Sequence, residues 1–197
     1  MNSLLNKNLY LIKEHIGMFK AANNFDIYDP ETSDIIMNCR EDNLGFFTKM
    51  FRFTKYKMMT PFHVEITTDK GQPILSIKRG SSFFGFKPVS VYDEKGNELG
   101  KLVRKFRFGG AKLEITDSKN NNLCTLKGNL LGWDFKISKD EVELASISKK
   151  WAGIGKELFT SADNYILAIN DTVNKDSELR PLIVSAVLCI DFLLKEN

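Results

Sequence analysis

A chain of 197 residues with 43% hydrophobic and 27% charged residues has the composition of one folded domain, which excludes a disordered or low-complexity protein. No stretch reaches about 18 apolar residues, and Met1 to His15 lacks the apolar run of a secretory signal, so neither a membrane-spanning helix nor export is expected. Cys39, Cys124 and Cys189 are widely spaced with no CxxC pair, which argues against a disulfide framework and a zinc site.

The net charge of +3 conceals an asymmetry. Residues 1–45 and 155–197 each carry four Lys/Arg against seven Asp/Glu, whereas residues 46–154 carry twenty against eleven. Two acid-free windows there concentrate the cations. One, Asn43 to Val64, holds Lys49, Arg52, Lys55 and Lys57; the other, Leu99 to Leu113, holds Lys101, Arg104, Lys105, Arg107 and Lys112. A basic middle points to an anionic partner.

In chain order, Leu9 to His15 reads as a strand, followed by Phe25 to Tyr28 and Ile35 to Arg40, joined through Asp29-Pro30-Glu31-Thr32. Gly45 to Tyr56 mixes phenylalanines with cations at no clean period and suits a strand or a short helix. Four hairpins then follow. Phe62 to Thr68 turns at Asp69-Lys70-Gly71 into Ile74 to Lys78, and Val89 to Tyr92 turns at Asp93 to Asn97 into Leu99 to Phe106. Leu113 to Thr116 turns at Asp117 to Asn122 into Leu123 to Lys127, and Trp133 to Ile137 turns at Lys139-Asp140 into Val142 to Ile147. The turn aspartates Asp69, Asp93, Asp117 and Asp140 stand 24, 24 and 23 residues apart. Strict alternation, as in Trp133, Phe135 and Ile137 against Asp134, Lys136 and Ser138, gives each strand one apolar face. Tyr165 to Ile169 is apolar on both faces and reads as a fully buried strand.

Leu179 to Lys195 is apolar on every side of a helix, with Leu182, Ile183, Val187, Ile190 and Phe192 among its core positions. Such a helix must be buried in protein or span a bilayer. From Pro181 to Leu194 it reaches roughly 20 Å, short of the ~30 Å hydrocarbon layer, and it carries Asp191. A helix that needs burial all round, preceded by strands with one apolar face, predicts a closed antiparallel β-barrel of about twelve strands around a central C-terminal helix, as one domain over residues 1–197. Closure also removes exposed sheet edges.

The segment Lys150-Trp151-Ala152-Gly153-Ile154-Gly155-Lys156-Glu157-Leu158-Phe159-Thr160, then Ala162-Asp163-Asn164-Tyr165, and the helix ending Ile190-Asp191-Phe192 resemble the C-terminal third of the phospholipid scramblases. That family is similar in fold to the tubby C-terminal domain and to the LURP-one-related proteins, barrels threaded by a hydrophobic helix. The resemblance implies the same fold here. The sequence departs from animal scramblases in having no counterpart of their Pro-rich region and palmitoylated cysteine cluster, so a lipid anchor is not expected. The family's calcium segment would fall on Ser161 to Thr172, making Asp163 and Asp171 the candidate metal ligands. As an EF-hand the segment fails: counted from Asp163, Tyr165 and Leu167 occupy the third and fifth positions, Ala168 the glycine position and Asn174 the twelfth. Asp163 and Asn164 also suit a turn or cap.

Catalytic signatures are missing from the sequence. His15 and His63 stand far apart with no ligand spacing, no GxSxG, HExxH or GxGxxG occurs, and Gly155-Lys156-Glu157 lacks the rest of a phosphate loop. A non-enzymatic protein without a cofactor is expected, calcium being the one candidate ion. The headgroup-binding candidates are Lys101, Arg104, Lys105, Arg107, Lys112, Lys49 and Arg52. Lys101, Lys105 and Arg107 share one strand face with Val103, while Arg104 lies on the other with Leu102, Phe106 and Phe108. Each cation near an anionic bilayer contributes about 1 kcal/mol, enough in sum for reversible attachment; the same face also suits a solvated outer wall. Phe83, Phe84 and Phe86 beside Lys87 could dip into an interface or fill a barrel corner. The leading expectation is therefore a cytoplasmic, monomeric barrel, peripheral at membranes, that binds anionic phospholipid. The alternatives are a protein-interaction or stress-signalling module and calcium-linked lipid scrambling, with nucleic acid the weakest partner.

Overall fold

The computed structural model describes residues 2–15, 24–41, 45, 48, 50, 60–81, 87–105, 111–129, 132–149, 164–190 and 193. Twelve strands form among them: β1 (Leu9–Glu14), β2 (Phe25–Tyr28), β3 (Ile35–Glu41), β4 (Phe62–Thr68), β5 (Pro73–Arg79), β6 (Val89–Asp93), β7 (Glu98–Lys105), β8 (Ala111–Asp117), β9 (Asn122–Asn129), β10 (Asp134–Lys139), β11 (Val142–Ser148) and β12 (Asn164–Ile169). Each pairs antiparallel with its neighbours in sequence. β1 also pairs with β12, Leu9 opposite Ala168 and Lys13 opposite Asn164, and this pairing closes the barrel. The architecture expected from alternation and from the family resemblance is the one observed. Of the ambiguous Gly45 to Tyr56 segment, only Gly45, Thr48 and Met50 belong to the described residues.

Alternation sets which side chains enter the barrel. On β4, Phe62, Val64 and Ile66 are buried while His63 and Glu65 are exposed; on β10, Phe135 and Ile137 are buried between exposed Asp134 and Lys136. β12 is buried on both faces except at Ala168, as expected of a strand without alternation.

The hairpin repeat is real, but its register differs from the aspartate count. Thr68 Oγ1 accepts from the amides of Lys70 and Gln72, Asp93 Oδ1 from those of Lys95 and Asn97, and Asp117 Oδ1 from those of Lys119 and Asn121. These equivalent anchors are 25 and 24 residues apart. Each is followed three positions on by a residue in the left-handed region, Gly71 (φ 80°), Gly96 (φ 83°) and Asn120 (φ 68°). Asp69 is therefore one residue past its anchor. Asp140 plays a different part: with φ 47°, beside Glu141 at φ 69°, it is the first central residue of a tight two-residue turn between the paired Lys139 and Val142. Trp133 likewise precedes its strand, in a turn at φ 46°.

The helix α1 (Leu179–Leu188) occupies the barrel interior, and every residue from Arg180 to Leu188 is buried. Leu182, Ile183, Val187 and Ile190 all belong to the core; Asp191 and Phe192 lie outside the described residues. The helix is interrupted by a turn residue at Cys189, after which Ile190 and Leu193 are again helical. Cys189 caps it, its amide donating to the carbonyls of Ser185 and Ala186, although Leu193 N still donates to Cys189 O at 2.8 Å. Burying the five large aliphatic side chains Leu182, Ile183, Val184, Val187 and Leu188 contributes roughly 10 kcal/mol as an upper figure. Gly100 on β7 makes the close approach feasible: a Cβ there would lie 2.1 Å from Thr116 O and 3.1 Å from a Leu182 methyl.

Arg180, at the start of α1, has no exposed surface. Its Nε donates to Asn174 O at 3.1 Å, Nη1 to Lys7 O at 2.8 Å, and Nη2 to both Asn8 Oδ1 at 2.7 Å and Val173 O at 2.8 Å. Asn8 Nδ2 in turn donates to Asp171 Oδ1. One guanidinium thus ties the segment before β1, the connection after β12 and the helix together, satisfying carbonyls that burial would otherwise strand. Arg180→Met should lower stability by about 3 kcal/mol or more, because these acceptors stay buried without a donor. Lys7→Gln keeps the carbonyl and a donor toward the buried Asp29 carboxylate, and should cost less, about 1–2 kcal/mol. Urea unfolding of the two variants measures the contrast.

Candidate functional site

Because the strands are sequential and antiparallel, their connections fall alternately at two ends of the barrel. The turns after β2, β4, β6, β8 and β10 share one end with the start of α1, here the proximal end. Its described turns are rich in acids, with Asp69, Asp93, Glu94, Asp117, Asp140 and Glu141 against Lys70, Lys95 and Lys119, and Asp176 and Glu178 stand before the helix. The opposite, distal half carries Lys13, Arg40, Lys78, Arg79, Arg104, Lys105, Lys112, Lys127 and Lys149 against Glu14, Asp26, Glu41, Glu65, Glu114 and Asp134 among the described residues, a modest but positive balance. The basic middle of the sequence is thus, in space, an electrostatic polarity along the barrel axis.

On the outer wall of the distal half four lysines stand in register. Lys105 of β7 is directly opposite Lys112 of β8, Lys112 opposite Lys127 of β9, and Lys127 opposite Lys136 of β10. At the usual 4.7–4.9 Å between strands the row extends about 14 Å. Like charges directly opposed across strands are destabilising, and acids one row away offset part of the cost. Glu114 reaches Lys105 at 3.1 Å with one oxygen and Lys112 at 3.2 Å with the other; Glu143 meets Lys136 at 2.8 Å. Burial alone would raise the Glu114 carboxyl, but hydrogen bonds from Lys105 and Lys112 hold it below its ordinary range, and the Glu143 contact raises Lys136. Lys127 is exposed and makes no ion pair among the described residues.

Of the sequence-derived candidates, Lys105 and Lys112 come together in this row. Lys101 stands elsewhere on the wall, opposite Ser90 and Thr116, and binds Asn120 Oδ1 at 3.0 Å and Glu98 at 3.5 Å. Arg104 follows Gly100 and Leu102 on the inward side of β7 and is half-buried. Lys49, Arg52, Arg107, the Phe83 loop and Asp163 lie outside the described residues. Lys127 and Lys136 were not singled out from sequence: they follow from strand register, which linear spacing does not contain.

The described part of the calcium segment, residues 164–172, does not form a continuous loop. Residues 164–169 are strand β12, with Tyr165, Ile166, Leu167 and Ile169 buried, and the Asp171 carboxylate takes the Asn8 amide that supports Arg180. Among the described residues there is no group of three or more His, Cys, Asp or Glu placed to hold a metal ion. Nor do the cysteines suit nucleophilic chemistry, since burial pushes the Cys124 and Cys189 thiols up to about 12 and the Cys39 thiol upward too.

Two further features have chemical character. At the proximal end a groove of about 320 Å³ has an apolar floor of Leu5, Ile74, Leu75, Leu99 and Pro181 and a rim of Asp93, Glu94, Asp176 and Glu178 with Lys95. On the outer face of β2, Asp26 is 8% exposed, receives a hydrogen bond from Arg40 and lies 2.6 Å from His15 Nε2. Arg40 also donates to Phe25 O at 2.6 Å and Asn38 Oδ1 at 3.1 Å. With one Asp26 oxygen bound by Arg40 and the other by His15, this is a clasp that ties β2 to β3 and to the end of β1.

The Scramblase family model matches residues 4–197. Among curated proteins, altered inheritance rate of mitochondria protein 25 of Saccharomyces cerevisiae is 23% identical over 195 residues, spanning 84% of this chain and 59% of its own length. Human phospholipid scramblase 1 is 22% identical over 151 residues, spanning 70% and 47%, and a phospholipid scramblase family protein of Schizosaccharomyces pombe is 20% identical over 218 residues, spanning 98% and 56%. The chain spans about half the length of these curated relatives. The X-ray structure of an Arabidopsis thaliana protein superposes with a TM-score of 0.60 at 11% identity, covering 98% of this chain and 97% of that one; at this identity the likeness is one of fold.

The Asp26 clasp gives the site's surroundings an acid signature. Burial would raise the Asp26 carboxyl, but the hydrogen bonds from Arg40 and His15 outweigh it and the pKa is lowered. A pKa depressed by folding contributes stability that is fully present above the unfolded value near ~3.9 and lost as pH falls through the folded value. Asp26→Asn should therefore cost about 1–3 kcal/mol at neutral pH. The difference from the parent protein should shrink as the solution is acidified below about pH 4, measured as urea midpoints across that range.

Proposed function

Since this chain belongs to the scramblase family, we propose that it associates with phospholipid membranes by binding anionic phospholipid through the basic wall of its barrel, without catalysing a covalent reaction. The observation that supports this reading best is the in-register row Lys105, Lys112, Lys127 and Lys136, a concentration of exposed cations kept despite its self-repulsion. The axial polarity supports it too, since an anionic bilayer would attract the distal half and repel the proximal turns. No described helix is long and apolar enough to cross a membrane, and α1 is occupied as the barrel's core. The contact we envisage is peripheral, from the cytoplasmic side.

A second reading, a protein-interaction module, is favoured by the acid-rimmed groove beside the start of α1, whose apolar floor and carboxylates suit a cationic segment of a protein partner. It places the partner at the end remote from the basic row, so both contacts are compatible.

Co-sedimentation with vesicles over a salt series tests the membrane reading. Binding is expected to vesicles containing anionic phospholipid, to be weak with purely zwitterionic vesicles, and to fall as ionic strength rises and the Debye length shortens to about 8 Å near 0.15 M. Equal binding to both vesicle types, or none to either, overturns it.

A further inference from the structure

We propose that Lys112, Lys127 and Lys136 form a seat for the phosphate of a lipid headgroup, centred on Lys127, with Glu114 and Glu143 as built-in competitors that the headgroup must displace. This rests on the membrane reading above and goes further by naming the contact. Lys127 is flanked in register by Lys112 on one side and Lys136 on the other. Each flanking ammonium is held by a carboxylate, at 3.2 Å from Glu114 and 2.8 Å from Glu143, and Asp134 adds its field to Lys136. Among the described residues Lys127 has no such partner and sits between two cations, the one position in the row without a carboxylate in ion-pair contact.

A phosphate has several acceptor oxygens and suits three ammoniums at strand spacing better than a carboxylate does. Docked over Lys127, it can draw Lys112 and Lys136 away from their acids with little backbone change, because all three are side chains of paired strands. The two glutamates then set a threshold: an isolated, weak anion gains one free lysine, whereas the dense phosphate surface of an anionic bilayer gains three. Lys105 is outside the seat because Glu114 keeps hold of it at 3.1 Å when Lys112 is released.

The experiment uses the full chain as parent protein, Lys127→Gln, Glu114→Gln and, as a control of equal charge change at the proximal end, Lys175→Gln. Partition onto phosphatidylcholine vesicles containing phosphatidylserine is measured alongside carbon-13 shifts of lysine Cε during titration with the vesicles and, separately, with inorganic phosphate. Lys127→Gln should weaken partition about fivefold, the attraction of one lysine to an anionic surface. Lys175→Gln should leave partition unchanged, Glu114→Gln should strengthen it, and the Lys127 resonance should move with vesicles. If the parent protein partitions but Lys127→Gln matches it, or Lys175→Gln falls equally, the seat is refuted while the membrane reading stands. If the parent protein does not partition at all, the membrane reading fails and the seat with it. Movement of the Lys127 resonance by inorganic phosphate alone, with vesicles inert, overturns the lipid assignment in favour of a soluble phosphate.

Discussion

Placing an apolar helix inside a sheet leaves one physical problem, which is where the polar ends of that helix go. At the proximal end the answer is Arg180, a cation with no exposed surface whose guanidinium gathers carbonyls from before β1 and after β12. The hydrophobic effect draws α1 into the barrel without fixing its depth or rotation, since its buried face is the whole helix. Directional hydrogen bonds from one rigid, planar group supply that positional information. Gly100 supplies the matching gap in the wall, where a Cβ would collide with Thr116 O and crowd the Leu182 methyls.

The burial of α1 also decides where function resides. With the inner faces of the strands turned onto the helix, the described outer wall is mostly polar and charged, and that charge is sorted by position along the axis. The sorting follows from connectivity. In an up-and-down barrel, consecutive connections alternate between ends, so tight acidic turns collect at one end and the connections at the other are free to carry a different composition. The lysine row is the wall's expression of the same sorting.

How much of this was legible in sequence depended on the range of the interaction. All twelve strands were readable, because alternation and turn residues act over a few positions. The hairpin repeat was readable too, but matching aspartate to aspartate took Asp69 for an anchor where the structure uses Thr68. What the turn needs is an acceptor oxygen two residues before a lysine amide, and Thr Oγ1 and Asp Oδ1 serve equally. Lys105 and Lys112 were found because their window lacks acids, yet Glu114, one residue beyond that window, pairs with both and offsets one of their two charges. Lys127 and Lys136 join them only through register on neighbouring strands. Arg180 was passed over for a related reason: within an apolar run a single arginine lowers the hydropathy slightly and gives no sign that four acceptors converge on it.

The pairing of β1 with β12 differs in kind from the other pairings of the barrel. Every other strand pair joins neighbours in the chain, so its loop-closure entropy is modest; Leu9 and Ala168 must meet across nearly the entire chain. Assembly therefore has a natural order, with the local hairpins able to form and dissolve independently while the final seam waits for both chain ends. The same Arg180 bonds that seat the helix also bridge this seam, so in the folded protein the position of the core helix and the closure of the barrel are held by one group, and loosening either exposes the other.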